Sequence, residues 1–285
     1  MAWPCRSRDL PDASPLLRVA FGGLALIAAL ALLTWLASVL RRDVSLVDRS
    51  WSVFIAGAAV VYALRLPAPG ERGLWMLLLV VAWATRLAVF ITRRNWGHGE
   101  DRRYQQIRAR NQPNFAVKSL YLVFALQAVL AWIVSAPFFA AMSGSLTHDL
   151  TTARPLGWLD AAGIAVTAFG IAFETLGDAQ MSIFKRDPKN QGQVMDRGVW
   201  RYTRHPNYFG ETCVWWGFWL MALGGAGWGG AWSVVSPLLM TVLLLKVSGV
   251  SLLEKDIGER RPAYRDYMVR TNAFVPGWPR RKGSA

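Results

Sequence analysis

Apolar residues run almost unbroken from Leu16 to Leu40, and comparable stretches return over Ser50–Leu66, Gly73–Thr92, Val117–Met142, Leu156–Phe184, Glu211–Leu223 with its approach, and Ala231–Leu253. A helix crosses a bilayer in about 20 mainly apolar residues, so this pattern predicts about seven membrane-spanning helices, the second and sixth being short. The expected fold is an all-α polytopic helix bundle. The polar intervals are too short for an independent soluble domain. Residues 1–285 therefore read as one membrane domain with no internal repeat.

Composition agrees with the pattern, since 53% of the 285 residues are apolar and 15 are Trp. A formal net charge of +14 raises the question of nucleic acid, and the placement of the charges answers it. Lys and Arg crowd the segments after the first, third, fifth and seventh stretches, whereas the loops around 67–72, 143–155 and 224–230 hold few. By the positive-inside rule the amino terminus is outside and the carboxyl terminus cytoplasmic. The charge thus specifies topology, and no nucleic-acid partner is expected. Cys5 and Cys213 fall at opposite ends of this arrangement, and His98, His148 and His205 lack ligand spacing, so neither a disulfide framework nor a metal site is indicated.

Ionisable groups inside apolar spans are costly, and each marks a candidate site. Arg86, Glu174, Asp178, Glu211 and Lys246 are of this kind. Glu174 and Asp178 share one helix face, and Lys185 follows two turns on. Together they suggest a cavity within the bundle that opens to the cytosol. The same groups could instead form ion pairs that lock the bundle, such as Lys246 with Asp178.

Three cytoplasmic segments, 95–114, 185–211 and 254–279, are rich in functional groups. The densest run is RYTRHPNYFGE, Arg201 to Glu211. Arg201 and Arg204 offer forked cations suited to phosphate or carboxylate. Pro206 suits the first turn of a helix, whose free N–H groups favour an anion. Asn207 can donate and accept, as a carboxamide or ribose requires, while Tyr202 and Tyr208 supply rings and hydroxyls. These parts fit a phosphorylated, amide- or ribose-bearing ligand. No G-x-G-x-x-G follows a strand, so a dinucleotide here would bind without a Rossmann fold.

The run DRGVWRYTRHPNYFGE, preceded by FETLGDAQMSIFKRDPKNQGQVM and followed by LLEKDIGERRPAYRDYMVRTNAFVPGWP, resembles the steroid 5α-reductase-like superfamily of membrane proteins, in particular a bacterial branch of unknown function. DVSLVDRSW and RRNWGHGEDRRYQQIR extend the likeness over most of the chain after the first helix, which implies a core over approximately 40–280. The resemblance implies an integral protein of a bacterial inner membrane that holds NADPH in a cytosol-facing cavity. The implied reaction is reduction of a carbon–carbon double bond of a lipid or steroid-like substrate. It places Asp178, Lys185, Arg201, Tyr202, Arg204, His205, Asn207, Tyr208 and Glu211 at the cofactor site, and Lys246 stands where the reductases carry an arginine close to the cofactor; beside the resemblance, Arg103 is a further candidate for the phosphates. Asp48, Tyr208 and Glu211 are the candidate catalytic groups that supply the proton. Glu174 and Glu254 depart from the reductase pattern, and the substrate end, LVDRSWSVF, lacks the reductases' Gln–Glu pair, so a 3-oxo-4-ene steroid is not implied.

A rival reading is an isoprenylcysteine-type methyltransferase using S-adenosylmethionine, which shares the RHP core and a tail with the flavour of ERRPAYRDYMVRT. Glu254 and Glu211 would then hold an amine. The continuation NYFGE and the density of cations favour the dinucleotide. A lipid-binding or scaffold protein that has kept the fold is a second rival.

Overall fold

The computed structural model describes residues 14–66, 70–143, 154–247, 249–254 and 257–280, so Cys5 and His148 lie outside the described residues. Among the described residues the chain is helical and six helical runs are long and apolar enough to cross a membrane. The protein is a polytopic helix bundle, as its sequence pattern requires.

Four runs match the expected spans with helical extensions at their ends: α1 (Ser14–Arg41), α2 (Leu46–Arg65), α3 (Gly70–Arg94) and, after the short α4 (Arg102–Arg110), α5 (Phe115–Ser143). α1 has an apolar surface all round and leaves Leu17, Phe21, Leu33 and Leu40 more than half exposed, which in a bilayer means facing lipid. α6 (Trp158–Arg186) begins at Gly157, whose N–H is capped by Asp160, and stops before Asp187-Pro188 because proline cannot extend it.

The predicted sixth span and most of the seventh fall within one helical run, Pro206–Val247, which explains six runs where about seven were expected. The run is nevertheless folded back on itself. Gly227 has φ +58°, and the chain passes from α7 (Pro206–Ala226) through the 3-10 turn Gly227–Val234 into α8 (Val235–Val242). A Cβ on Gly230 would lie 2.9 Å from the carbonyl of Ala222, and the Trp219 indole donates to Ala231 O at 3.4 Å. In a straight helix residues eight apart are separated by about 12 Å, so α8 runs back beside α7. Ser236 Oγ then donates to Val134 O of α5 at 2.7 Å.

α6 and α7 pack antiparallel with their backbones in contact. Glycines stand at positions 163, 170 and 177 of α6 and at 210, 217 and 224 of α7. A Cβ on Gly170 would sit 2.5 Å from Gly210 O, and one on Gly217 would sit 2.7 Å from Gly163 O. Close approach of small residues is how helices gain van der Waals contact where lipid already satisfies apolar surface. Beside this seam Trp83, Phe138, Trp215 and Phe218 form an edge-to-face cluster, with Trp83 and Trp215 centroids 5.1 Å apart. At one end of the bundle a buried fork joins α3 to α6, with Arg72 Nε and Nη2 donating to Asp160 at 2.6 and 2.8 Å.

Candidate functional site

The opposite end carries the polar segments. After α8 the chain forms the short helices α9 (Val250–Glu254), α10 (Ile257–Arg260) and α11 (Ala263–Arg270), and the tail wraps against the loop 197–205. Arg204 N donates to Asn272 O and Gly277 N to Tyr202 O, both at 2.9 Å, while Thr203 Oγ1 donates to Phe274 O at 2.7 Å. The hydroxyl of Tyr267 donates to Trp200 O.

This wrapping roofs a cavity of about 910 Å³ between the ends of α3, α6 and α7 and the tail. That size lies within the range of about 300–1,000 Å³ common for small-molecule sites. Of the residues predicted from the sequence, Asp178, Lys185, Arg204, His205, Asn207 and Tyr208 line it. As expected, Pro206 opens α7, so the first turn of that long helix presents its N–H groups beside Asn207. His205 and Tyr208 stack at 5.5 Å with their rings nearly parallel.

Six predicted residues lie elsewhere. Arg201 lines a separate hollow, and Tyr202 packs edge-on to Trp278 at 5.6 Å. Lys246 is exposed on the final turn after α8 and does not line the cavity. Asp48 accepts from Tyr104 Oη and Arg103 Nη2, both at 2.7 Å, so Arg103 is engaged there as well. Glu211 lies behind the cavity, its carboxylate accepting from the indoles of Trp83 and Trp215 at 2.8 Å each.

The intramembrane charges also find partners that spacing along one helix does not show. Arg86 of α3 pairs with both Glu174 and Asp178 of α6, and Glu211 adds a third carboxyl to this neighbourhood. Asp178 therefore has a cation partner in Arg86, and Lys246 is not needed for one. Arg204, although on the wall, is heavily committed to the protein. Its Nε and Nη2 grip Glu254 at 2.7 Å each, and its Nη1 donates to Met268 O and Thr271 O at 2.9 and 2.6 Å. His205 Nε2 meets the same carboxylate at 2.9 Å. Burial raises the pKa of Glu254, but the hydrogen bonds from His205 and Arg204 outweigh it and hold the carboxyl at about 2.

Sequence reasoning did not assign Arg94 or Arg261 to the site. Arg94, Arg261, Tyr264 and Tyr267 all line the cavity. Burial, reinforced by Glu254, pushes the Tyr264 phenol up to about 12. Arg94 and Arg261 stand near Lys185, and no carboxylate pairs with any of the three among the described residues. The segments holding Arg261 and Tyr264 were recognisable as polar, but only the wrapping of the tail brings them over α6. The seven-residue glycine spacing on α6 and α7 was legible and would have announced their contact.

Residues 34–271 match the family described as "Protein of unknown function (DUF1295)". The match covers most of the chain, and the protein belongs to that family. It is also similar to the uncharacterized protein C594.04c of Schizosaccharomyces pombe, with 24% identity over 284 residues, covering 89% of this chain and 78% of the yeast protein. No solved structure matches the chain.

Proposed function

We propose that this protein is a membrane reductase of the steroid 5α-reductase-like kind, which takes NADPH into the large cavity and reduces a carbon–carbon double bond of a lipid. The observation that carries the reading is the convergence of Arg94, Lys185 and Arg261, unpaired with carboxylates among the described residues, on a cavity whose inner wall is Asn207, Tyr208 and His205 at the start of α7. Cations without a carboxylate partner on a cavity wall suit the phosphates of a dinucleotide, and Asn207 suits a carboxamide.

In this reading Lys185, Arg94 and Arg261 hold the phosphate end. Arg204 fixes Glu254 and the tail over the cavity. His205 and Tyr208 give one stacked aromatic surface, and the close α6–α7 seam keeps water out from behind. The bound cofactor supplies a hydride. The proton that completes the reduction comes from a group on the wall, and the Tyr208 hydroxyl is the candidate catalytic residue that lines the cavity, whereas Asp48 and Glu211 are engaged outside its lining. By the positive-inside rule the cavity faces the cytosol. The methyltransferase reading needs a carboxylate free to hold an amine, and Glu254 is already occupied by Arg204 and His205.

The test is binding of NADPH and, separately, S-adenosylmethionine to the detergent-purified full chain, with Lys185→Gln and Asn207→Ala as variants. Saturable NADPH binding, weakened in both variants, is the expected result. Binding of S-adenosylmethionine alone would overturn the reductase reading.

A further inference from the structure

Arg201 shares its hollow, of about 590 Å³, with Arg197, Arg270 and Arg280. The four arginines come from two chain segments, 197–201 and 270–280, that meet only in the folded protein. One carboxylate, Asp196, lines the hollow, and it lies 3.4 Å from Arg270. Arg197, Arg201 and Arg280 have no carboxylate partner among the described residues.

Orienting charge in a cytoplasmic loop needs only to be present, and mutual repulsion would spread it apart. Here the backbone forces it together. Arg280 N donates to Arg270 O and Gly277 N to Tyr202 O, both at 2.9 Å, which fixes the tail beside the turn that carries Arg197 and Arg201. That turn is pinned in its own right. Val199 N donates to Gln180 Oε1 at 3.0 Å, and the Trp200 indole donates to Gly177 O at 2.9 Å. Gly198, at φ +56°, passes so close to the Gln180 amide that a Cβ there would overlap it. A pocket that is rigid, forked in its donors and short of negative charge is complementary to phosphate.

We propose that this hollow is a phosphate-binding site, separate from the large cavity, that takes the phosphate ester of an anionic lipid headgroup or of a soluble metabolite. Trp278, which is 84% exposed, stands beside it against Tyr202, the position of an aromatic anchor at headgroup level.

The experiment titrates inorganic phosphate against the full chain at constant ionic strength and reads the thermal unfolding midpoint. It does so in nanodiscs of phosphatidylcholine with and without phosphatidylglycerol. The variants are Arg197→Gln, Arg201→Gln and their double, all at exposed side chains, and Arg110→Gln serves as a charge-matched control at the same polar end. A saturable rise in the wild type and in Arg110→Gln is expected, with affinity about ten-fold weaker per pocket arginine removed. NADPH binding in the large cavity is expected to be unchanged in the double variant. A phosphate titration shifted to higher concentration by phosphatidylglycerol identifies the lipid headgroup as the source, and an unshifted one identifies a soluble phosphate. No saturable rise, or an equal response in all variants, overturns the proposal.

Discussion

Replacing Arg204 by alanine separates a ligand residue from a structural clamp. Arg204 is 7% exposed, and its guanidinium uses four of its five N–H groups on Glu254, Met268 O and Thr271 O. Removing it leaves two carbonyls without their donor and leaves Glu254 with His205 alone. Hydrogen bonds involving a charged group contribute about 1.5–3 kcal/mol each, and breaking a fully buried ion pair costs about 3–5 kcal/mol. Because His205 stays on Glu254 and water can reach the site once the tail lifts, we work with about 3 kcal/mol for docking of the tail. That corresponds to a rise of roughly a hundred-fold in the open population of the tail. Hydrogen exchange reads it directly. The amides of Gly277 and Arg280, which bond to Tyr202 O and Arg270 O, are expected to exchange about a hundred-fold faster, while those of α6 are unchanged. Arg204→Lys keeps the charge but not the fork and is expected to recover only part of the protection. In a double-mutant cycle with Glu254→Gln, the coupling should lie between about 1 and 3 kcal/mol. Unchanged exchange in Arg204→Ala, combined with lost ligand binding, would refute the clamp and make Arg204 a direct ligand contact.

Further outcomes follow for Glu254 and for the seam between α6 and α7. The folded pKa of Glu254 is depressed, so its contribution is fully present above the ordinary carboxylate value of 4.5 and decays as pH falls from there towards about 2. Pepsin cleavage of the tail is expected to rise through that window in the wild type, and a Glu254→Gln variant with the same step would refute the assignment. At the α6–α7 seam, Gly170→Leu is expected to destabilise the bundle by about 2 kcal/mol or more in detergent unfolding. Gly229→Ala, where nothing lies within 4 Å, is expected to be neutral.

The membrane-spanning helices were legible because length and apolarity are local properties of the chain. The start of α7 was legible for the same reason, since Pro206 acts on its own turn. Asn207, Tyr208 and His205 were placed with it, being close neighbours in sequence. Grouping of the polar loops at one end followed from counting charges.

Pairing across helices was another matter. The sequence offered Lys246 as a partner for Asp178, and the fold supplied Arg86, because rotation of α3 against α6 is set by packing and not by spacing within either helix. Glu254 and Arg204 lie fifty residues apart, and the tail brings them together. The reversal between α7 and α8 falls at the loop 224–230 that separates the sixth and seventh apolar stretches of the sequence, and the fold shows that Gly227, at φ +58°, carries the turn. The sequence alone determined that this chain crosses the membrane and where its polar face lies. Tertiary structure decided which charges are spent on pairs within the protein and which stand without a carboxylate partner among the described residues, because that depends on distances between segments that no local pattern encodes.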